Sequence, residues 1–213
     1  MAKVTAPNLS MKSSGQVGKT LVNASWKGRD YVRSYATPSN PRTTNQMKTR
    51  NSFSWLSDAW KTLNAAVQAV WTAYAKGQVM TDRNAWISKN NAALRTATDL
   101  SGMIVSPGTA SGVVAAGIEV TGSAGSLSVA LTAPTLPTGW TITKAHAVAI
   151  KQQVPTSDTT DPTSYYASDD TSPYAPAITV PAGTYQVFGF FEFQRDDGKT
   201  AFGMSITGTG TAT

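Results

Sequence analysis

Gly15-Gln16-Val17-Gly18-Lys19-Thr20 ends in the Gly-Lys-Thr of a phosphate-binding loop. In such a loop, backbone N–H groups and a helix N-terminus cradle the phosphate. The full pattern needs a glycine where this chain has Ser13, a hydrophobic strand before it and a helix after it. Here a polar stretch precedes and Leu21-Val22 reads as strand, so nucleotide binding is not expected. His146 is the only histidine and shares a strand face with Lys144, Val148 and Ile150. Histidine catalysis would also need a nucleophile and an orienting acid, so His146 reads as a surface or half-buried sheet residue. Asp158, Asp161, Asp169 and Asp170 fall in a Thr/Ser/Pro-rich stretch read as a loop. Their carboxylates suit calcium, but they lack EF-hand spacing and read as a solvated acidic loop. Glu119 and Glu192 are the only glutamates and lie in different predicted strands, without the marks of a glycosidase pair. The absence of cysteine excludes thiolate chemistry, disulfides and Cys-ligated metals. The expectation is therefore no enzyme, no cofactor and no metal site.

The charge layout carries more information. Residues 1–95 hold 14 of the 18 basic side chains and three acids (Asp30, Asp58, Asp82), a balance of +11, while the remainder stands at −5. Lys3, Lys12, Lys19, Lys27, Arg29, Arg33, Arg42, Lys48 and Arg50 are opposed over the first 50 residues only by Asp30. Such density attracts a phosphate backbone or an acidic protein surface. No zinc-finger, helix-turn-helix or RNA-binding signature accompanies it, so nucleic acid is an unspecific partner. The first part also holds five of the six tryptophans, and Ser101, Gly102, Pro107, Gly108, Ser111 and Gly112 punctuate the stretch that follows. This shift predicts four parts: an arm over 1–14, a basic anchoring domain over 15–95, a linker over 96–112 and a second domain over 113–213. A length of 213 residues suits one large domain or two small ones. The start lacks the apolar segment of a signal peptide, and no run of about 18 apolar residues occurs. A soluble protein of a reducing compartment, or of a particle assembled in one, without membrane contact, is expected.

The elements that must position these residues follow from periodicity. Val17–Trp26 and Tyr31–Tyr35 are β-prone runs on either side of Lys27-Gly28-Arg29-Asp30, which suits a hairpin turn. After Pro38 and Pro41, Thr43-Thr44-Asn45-Gln46 fits a capping box and predicts a helix starting at about Thr44. Phe53, Leu56, Trp60 and Leu63 make one stripe on it, which leaves Trp55 off the stripe as the aromatic that faces a partner. Asn64 caps a second predicted helix with Val67, Val70, Trp71 and Tyr74 on one face and Gly77 as its stop. Thr81 caps a third, carrying Trp86, Ile87, Ala93 and Leu94. These stripes read as hydrophobic core rather than base-stacking or cofactor platforms.

Beyond residue 113 the pattern has period two. Val114–Val120, Leu127–Leu131, Ile142–Ile150, Ala177–Val180, Tyr185–Phe193 and Thr200–Ile206 give six or seven short strands, the last two joined at Asp196-Asp197-Gly198-Lys199. An α+β chain ending in an antiparallel β-sandwich is predicted. Around Gly183-Thr184-Tyr185 the pattern resembles the late strands of an immunoglobulin or fibronectin type III domain. Tyr185–Phe193 is apolar on both faces, with Phe188 and Phe190 on one of them. Such a strand is either central or pressed against another subunit, so Phe188 and Phe190 are candidates for self-association in a homo-oligomer.

The ordered series Gly15-x-x-Gly18, Trp26-Lys27-Gly28-Arg29-Asp30-Tyr31-Val32-Arg33, Pro38-x-Asn40-Pro41-x-Thr43 and Gln46-x-x-x-Arg50 resembles the start of small structural proteins of tailed bacteriophages. It continues with Ala59-Trp60-x-x-Leu63, Ala69-Val70-Trp71-x-x-Tyr74-Ala75 and Asn84…Asn90-x-x-Leu94, and departs from that class where Trp86 displaces the aromatic of the third helix. The resemblance covers about residues 15–95. It implies a virion structural role, assembled in the bacterial host cytoplasm, without fixing the place in the particle; together with the charge layout it gives the expectation of a capsid decoration or minor head protein anchored to other virion proteins by its basic half, with the sandwich projecting. A tail or neck component and a nucleic-acid-binding packaging accessory protein are the alternatives. The anchoring residues expected on this reading are Lys27, Arg29, Tyr31, Arg33, Arg42, Arg50 and Trp55.

Overall fold

In the computed structural model the described residues are 14–27, 29–37, 39–76, 78–109, 113–157 and 161–213, with only the backbone of Trp26 and Arg29 described. Apart from Ser14, the expected N-terminal arm lies outside them, as do Gly28, Pro38, Gly77, Ser111, Gly112 and Asp158. The chain divides into two compact units, Met1–Arg42 and Thr43–Thr213.

The first unit is a three-stranded antiparallel sheet of β1 (Gly15–Val17), β2 (Leu21–Trp26) and β3 (Arg29–Ser34) in that order. Gly18 and Lys19 take φ of 55° and 57° at the tip between β1 and β2, and the Thr20 N–H donates to the Val17 carbonyl at 3.1 Å. A strand follows this tip, so Gly18-Lys19-Thr20 lacks the helix a phosphate loop requires. Trp26 pairs with Arg29 across a two-residue turn in which Lys27 has φ 49°, which suits the twist of the flanking strands.

The second unit opens with α1 (Thr44–Thr62), α2 (Ala65–Ala75) and α3 (Asp82–Leu94). The starts fall where the caps predict. The Asn64 side chain accepts from the Ala66 N–H at 2.9 Å and Thr81 Oγ1 from the Asn84 N–H at 3.3 Å, whereas Thr43 precedes α1 without a side-chain cap. The buried stripe of α1 is Ser52, Trp55, Leu56, Ala59 and Leu63. Trp55 is 3% exposed and Phe53 51%, which reverses the expected roles of these two aromatics. Val67, Val70, Trp71, Trp86 and Leu94 are buried as predicted, and the Trp71 and Trp86 rings meet edge to face at 5.4 Å.

Residues 96–109 are not a linker. Leu100, Met103 and Val105 belong to the helical core. The buried Asn90 side chain pairs with Ile104 as a strand would, accepting from its N–H at 2.7 Å and donating to its carbonyl at 3.1 Å. Trp71 Nε1 donates to the Val105 carbonyl at 2.8 Å. Ser106 is buried and its Oγ donates to the Gly203 carbonyl, so the connection is packed and hydrogen-bonded rather than flexible, and the division of the chain falls at Arg42 instead.

The sandwich comprises β4 (Gly117–Ser123), β5 (Ser126–Thr132), β6 (Trp140–Lys151), β7 (Ser164–Asp169), β8 (Ala177–Thr179), β9 (Gly183–Arg195), β10 (Thr200–Phe202) and β11 (Ile206–Ala212). One sheet has the order β10-β9-β6-β7 with β11 also on β9, and the other the order β4-β5-β8. The α+β class with an antiparallel sandwich is thus what the chain adopts. Strands β10 and β11 follow one another along the same edge of β9 with a one-residue shift in register, a bulge at 203–205. Ser164–Asp169, read from sequence as loop, is an edge strand that places Tyr165 and Tyr166 against the two core clusters.

Three layers result. One face of the larger sheet (Ala145, Ala147, Ala149, Val187, Phe191, Phe193) packs on Leu127, Val129 and Ile178 of the smaller sheet. The other face (Val148, Ile150, Phe188, Phe190) packs on the helices. Strand β9 is apolar on both faces because it is the middle of this stack. Phe188 and Phe190, both 0% exposed, are covered by their own chain and leave no surface for self-association.

Candidate partner-binding surface

Seven basic side chains and one acid, Asp30, fall in Met1–Arg42, while Thr43–Thr213 holds eleven of each sign. The whole formal charge of +6 therefore belongs to the hairpin unit. Within Gly15–Ser34, Asn23 of the central strand is the one buried residue among those described. Val17, Leu21 and Tyr35 are exposed.

The antiparallel register puts Tyr31 opposite Ala24 and Arg33 opposite Val22, so Tyr31 and Arg33 share a face of the sheet. Tyr31 is half-buried and Arg33 exposed. Lys27 is exposed at the hairpin tip; Arg29 starts β3, with its side chain outside the described residues. Arg42 is exposed with φ 50°, a left-handed backbone that a non-glycine residue holds at a cost. Of the residues expected to anchor the chain, Trp55 is excluded by burial.

Arg50 belongs to the second unit, where it lines a shallow hollow with Asn45, Gln46 and Thr49. A groove of about 360 Å³ is lined by Asn45, Lys48, Thr49, Arg95 and Thr96, without a carboxylate. Lys48 falls in the basic cluster of the sequence, but its nearness to Arg95 is not legible there, because the two meet only through the packing of α1 on α3. Among the described residues, Lys19, Arg33, Arg42, Lys48, Arg50 and Arg95 make no ion pair; the ion pairs recorded are Lys61–Asp58 and those of Asp197 with Arg195 and Lys199.

The acidic residues of the sandwich serve its turns. The Asp169 carboxylate accepts from the Thr171 and Ala175 N–H groups, and Asp161 from the Thr163 N–H. Backbone donors to Asp169, and the Thr163 donors to Asp161, hold both carboxyls below the usual carboxylate range. His146 is 2% exposed rather than half-buried, with Tyr166 and Glu192 on its two ring nitrogens.

A family model described as a family of unknown function (DUF6266) matches residues 12–183. The chain belongs to this family. The DUF6266 match spans the hairpin, the three helices and the sandwich as far as the start of β9, and it runs through 96–112. No curated protein matches the chain. Among solved structures, the fibronectin(III)-like modules of Clostridium thermocellum CbhA are similar at 16% identity, covering 46% of this chain and 46% of that one, with a TM-score of 0.27. The match thus spans less than half the length of that chain.

Proposed function

We propose that this DUF6266 protein is a non-catalytic structural component of a tailed-bacteriophage particle, a capsid decoration or minor head protein, attached through its hairpin unit. The carrying observation is that the hairpin unit holds the entire net charge of +6, and that among its described residues Asn23 alone is fully buried. A small sheet without a core is marginal alone and gains stability by lying against a partner. Unpaired Lys19, Arg33 and Arg42 beside exposed Val17, Leu21 and Tyr35 suit an acidic protein surface with apolar ground between its charges. A DNA backbone would use the cations and leave those apolar side chains uncovered, which favours protein over nucleic acid. The motif series of residues 15–95 supports the phage assignment. Tail or neck placement assigns the same surface to a different neighbour.

The test is mass spectrometry of purified particles together with copy counting. The chain should be present at a fixed stoichiometry in intact particles, and a chain lacking residues 15–42 should be absent from them. Recovery only in the unassembled fraction would refute the proposal, and co-purification with DNA that nuclease abolishes would favour the packaging alternative.

A further inference from the structure

An uncovered strand edge presents unpaired N–H and C=O groups that template pairing with another chain. The outer edge of β10 and β11 is covered: the Thr109 N–H donates to the Phe202 carbonyl at 2.7 Å, the Met204 N–H to the Val113 carbonyl at 3.2 Å and the Ser205 N–H to the Ser106 carbonyl at 3.0 Å. In the hairpin sheet, the edge strand β1 is only three residues long. The other edge is β3. Among the described residues β3 has β2 as its one strand neighbour, and its register runs from Arg29 to Ser34 without a bulge or a proline.

The Tyr35 N–H donates to the Thr20 carbonyl at 2.7 Å, one step beyond the Leu21–Ser34 pair. Hydrogen-bonded and non-hydrogen-bonded pairs alternate along an antiparallel ladder, so Arg33 and Tyr31 also turn their backbone groups toward β2. The N–H and C=O groups of Asp30, Val32 and Ser34 therefore point outward.

The side chains of β3 select what can pair there. Outward groups must meet outward groups, so two copies of β3 related by a two-fold axis run antiparallel with one residue facing its own copy at the centre. A centre at Arg33 sets two arginines opposite each other, and a centre at Tyr31 sets Arg33 opposite residue 29, also arginine. Like charges directly opposite are destabilising. A centre at Val32 avoids both. It sets Tyr31 of each copy opposite Arg33 of the other, in the closely spaced non-hydrogen-bonded position where a guanidinium can lie on a tyrosine ring. Residue 29 then falls opposite residue 35, again arginine opposite tyrosine. Val32 faces Val32 and Asp30 faces Ser34, each pair exchanging its outward backbone hydrogen bonds.

We propose that β3 is a self-pairing edge through which two copies of this chain join antiparallel, centred on Val32, into one continuous sheet. This pairing goes beyond the anchoring proposed above and does not depend on it. Each hairpin unit carries +6, so the two copies repel at long range and salt should strengthen the dimer, whereas salt weakens attachment to an acidic neighbour.

The test is sedimentation of the full chain at about 0.1 and 1 M salt. The mass should rise with concentration from 22.4 kDa toward about twice that value, and should do so at lower concentration in 1 M salt. A single-chain mass up to about 1 mM overturns the proposal. Val32→Pro removes an N–H that points away from β2, so it should abolish the dimer and spare the β2–β3 ladder. A dimer that persists in this variant overturns the proposal. Should Val32→Pro unfold the hairpin, two substitutions at exposed Ser34 decide. Ser34→Arg sets an arginine opposite the second copy's Asp30 at both ends of the pairing and should tighten the dimer about fivefold, while Ser34→Asp sets two carboxylates opposite each other and should loosen it about fivefold. Net charge alone gives the reverse order for units of +6, and that order overturns the pairing.

Discussion

Phe53 and Trp55 stand two positions apart on α1, and the sequence offers either for burial. Two stripes pass through Leu56 and Leu63, one taking Phe53 and Trp60, the other Ser52, Trp55 and Ala59. Residues three or four apart share a helix face, so period alone does not choose between them. The choice is made by α3: Ser52 Oγ donates to Asn91 Oδ1 at 2.9 Å, and the Trp86 Nε1 donates to the Leu56 carbonyl at 3.1 Å, which turns the Ser52 side of α1 inward. Trp55→Ala should therefore cost about 3–5 kcal/mol in urea denaturation. Phe53→Ala should stay within about 0.5 kcal/mol, and equal losses would contradict the burial pattern. Asn90 is the second residue whose role appears only in three dimensions. Its side chain supplies the strand partner of Ile104, and Asn90→Ala leaves both backbone groups unpaired at about 1–3 kcal/mol for each buried one. A loss below about 1 kcal/mol would mean that water replaces the amide.

At the scale of elements, caps and period-two runs were legible because they are local. The starts of α1, α2 and α3 and most strands fall where their residues place them. Glycine-rich and tyrosine–serine segments are not legible in this way, because their order depends on what lies across from them. Strand β11, Ile206–Ala212, has glycine or threonine at five of its seven positions and carries little strand signal, yet it lies close against the facing sheet. A Cβ at Gly210 would collide with Val120 Cγ1 and come within 3.1 Å of Leu127 Cδ2. Gly210→Val should thus lower the melting temperature by well over what a surface valine does, through overpacking of about 1–3 kcal/mol. An unchanged melting temperature would place β11 away from β4 and β5. The same reasoning applies to 96–109, where Leu100, Met103 and Val105 fill the core and Asn90 and Trp71 hold the backbone. Limited proteolysis should leave Leu100–Ser106 uncut under native conditions, and rapid cleavage there would restore the linker that composition suggests.

At the scale of the whole molecule, the asymmetry of charge visible in the sequence is real, and its boundary lies at Arg42 rather than in 96–112. The helices carry basic residues, but Thr43–Thr213 balances them with the acids of the sandwich and encloses both apolar clusters. A chain of residues 43–213 should therefore fold, unfold cooperatively and keep a melting temperature within a few degrees of the full chain. It should also lose attachment to particles that lack the protein. Each exposed charge contributes at most about 1 kcal/mol, so Arg33→Glu alone should weaken attachment less than about fivefold. Lys19→Glu, Arg33→Glu and Arg42→Glu together bring the hairpin unit from +6 to neutral and should abolish attachment. Salt separates the charged from the apolar contribution: from 0.1 to 1 M the screening length falls from about 10 to about 3 Å, which suppresses the former and spares the latter. Attachment that survives high salt in part, fails in the triple variant and depends on Val17 and Leu21 is the expected result. If residues 43–213 attach as tightly as the whole chain, the basic hairpin is a solvated face and the anchor lies on the three-layered unit.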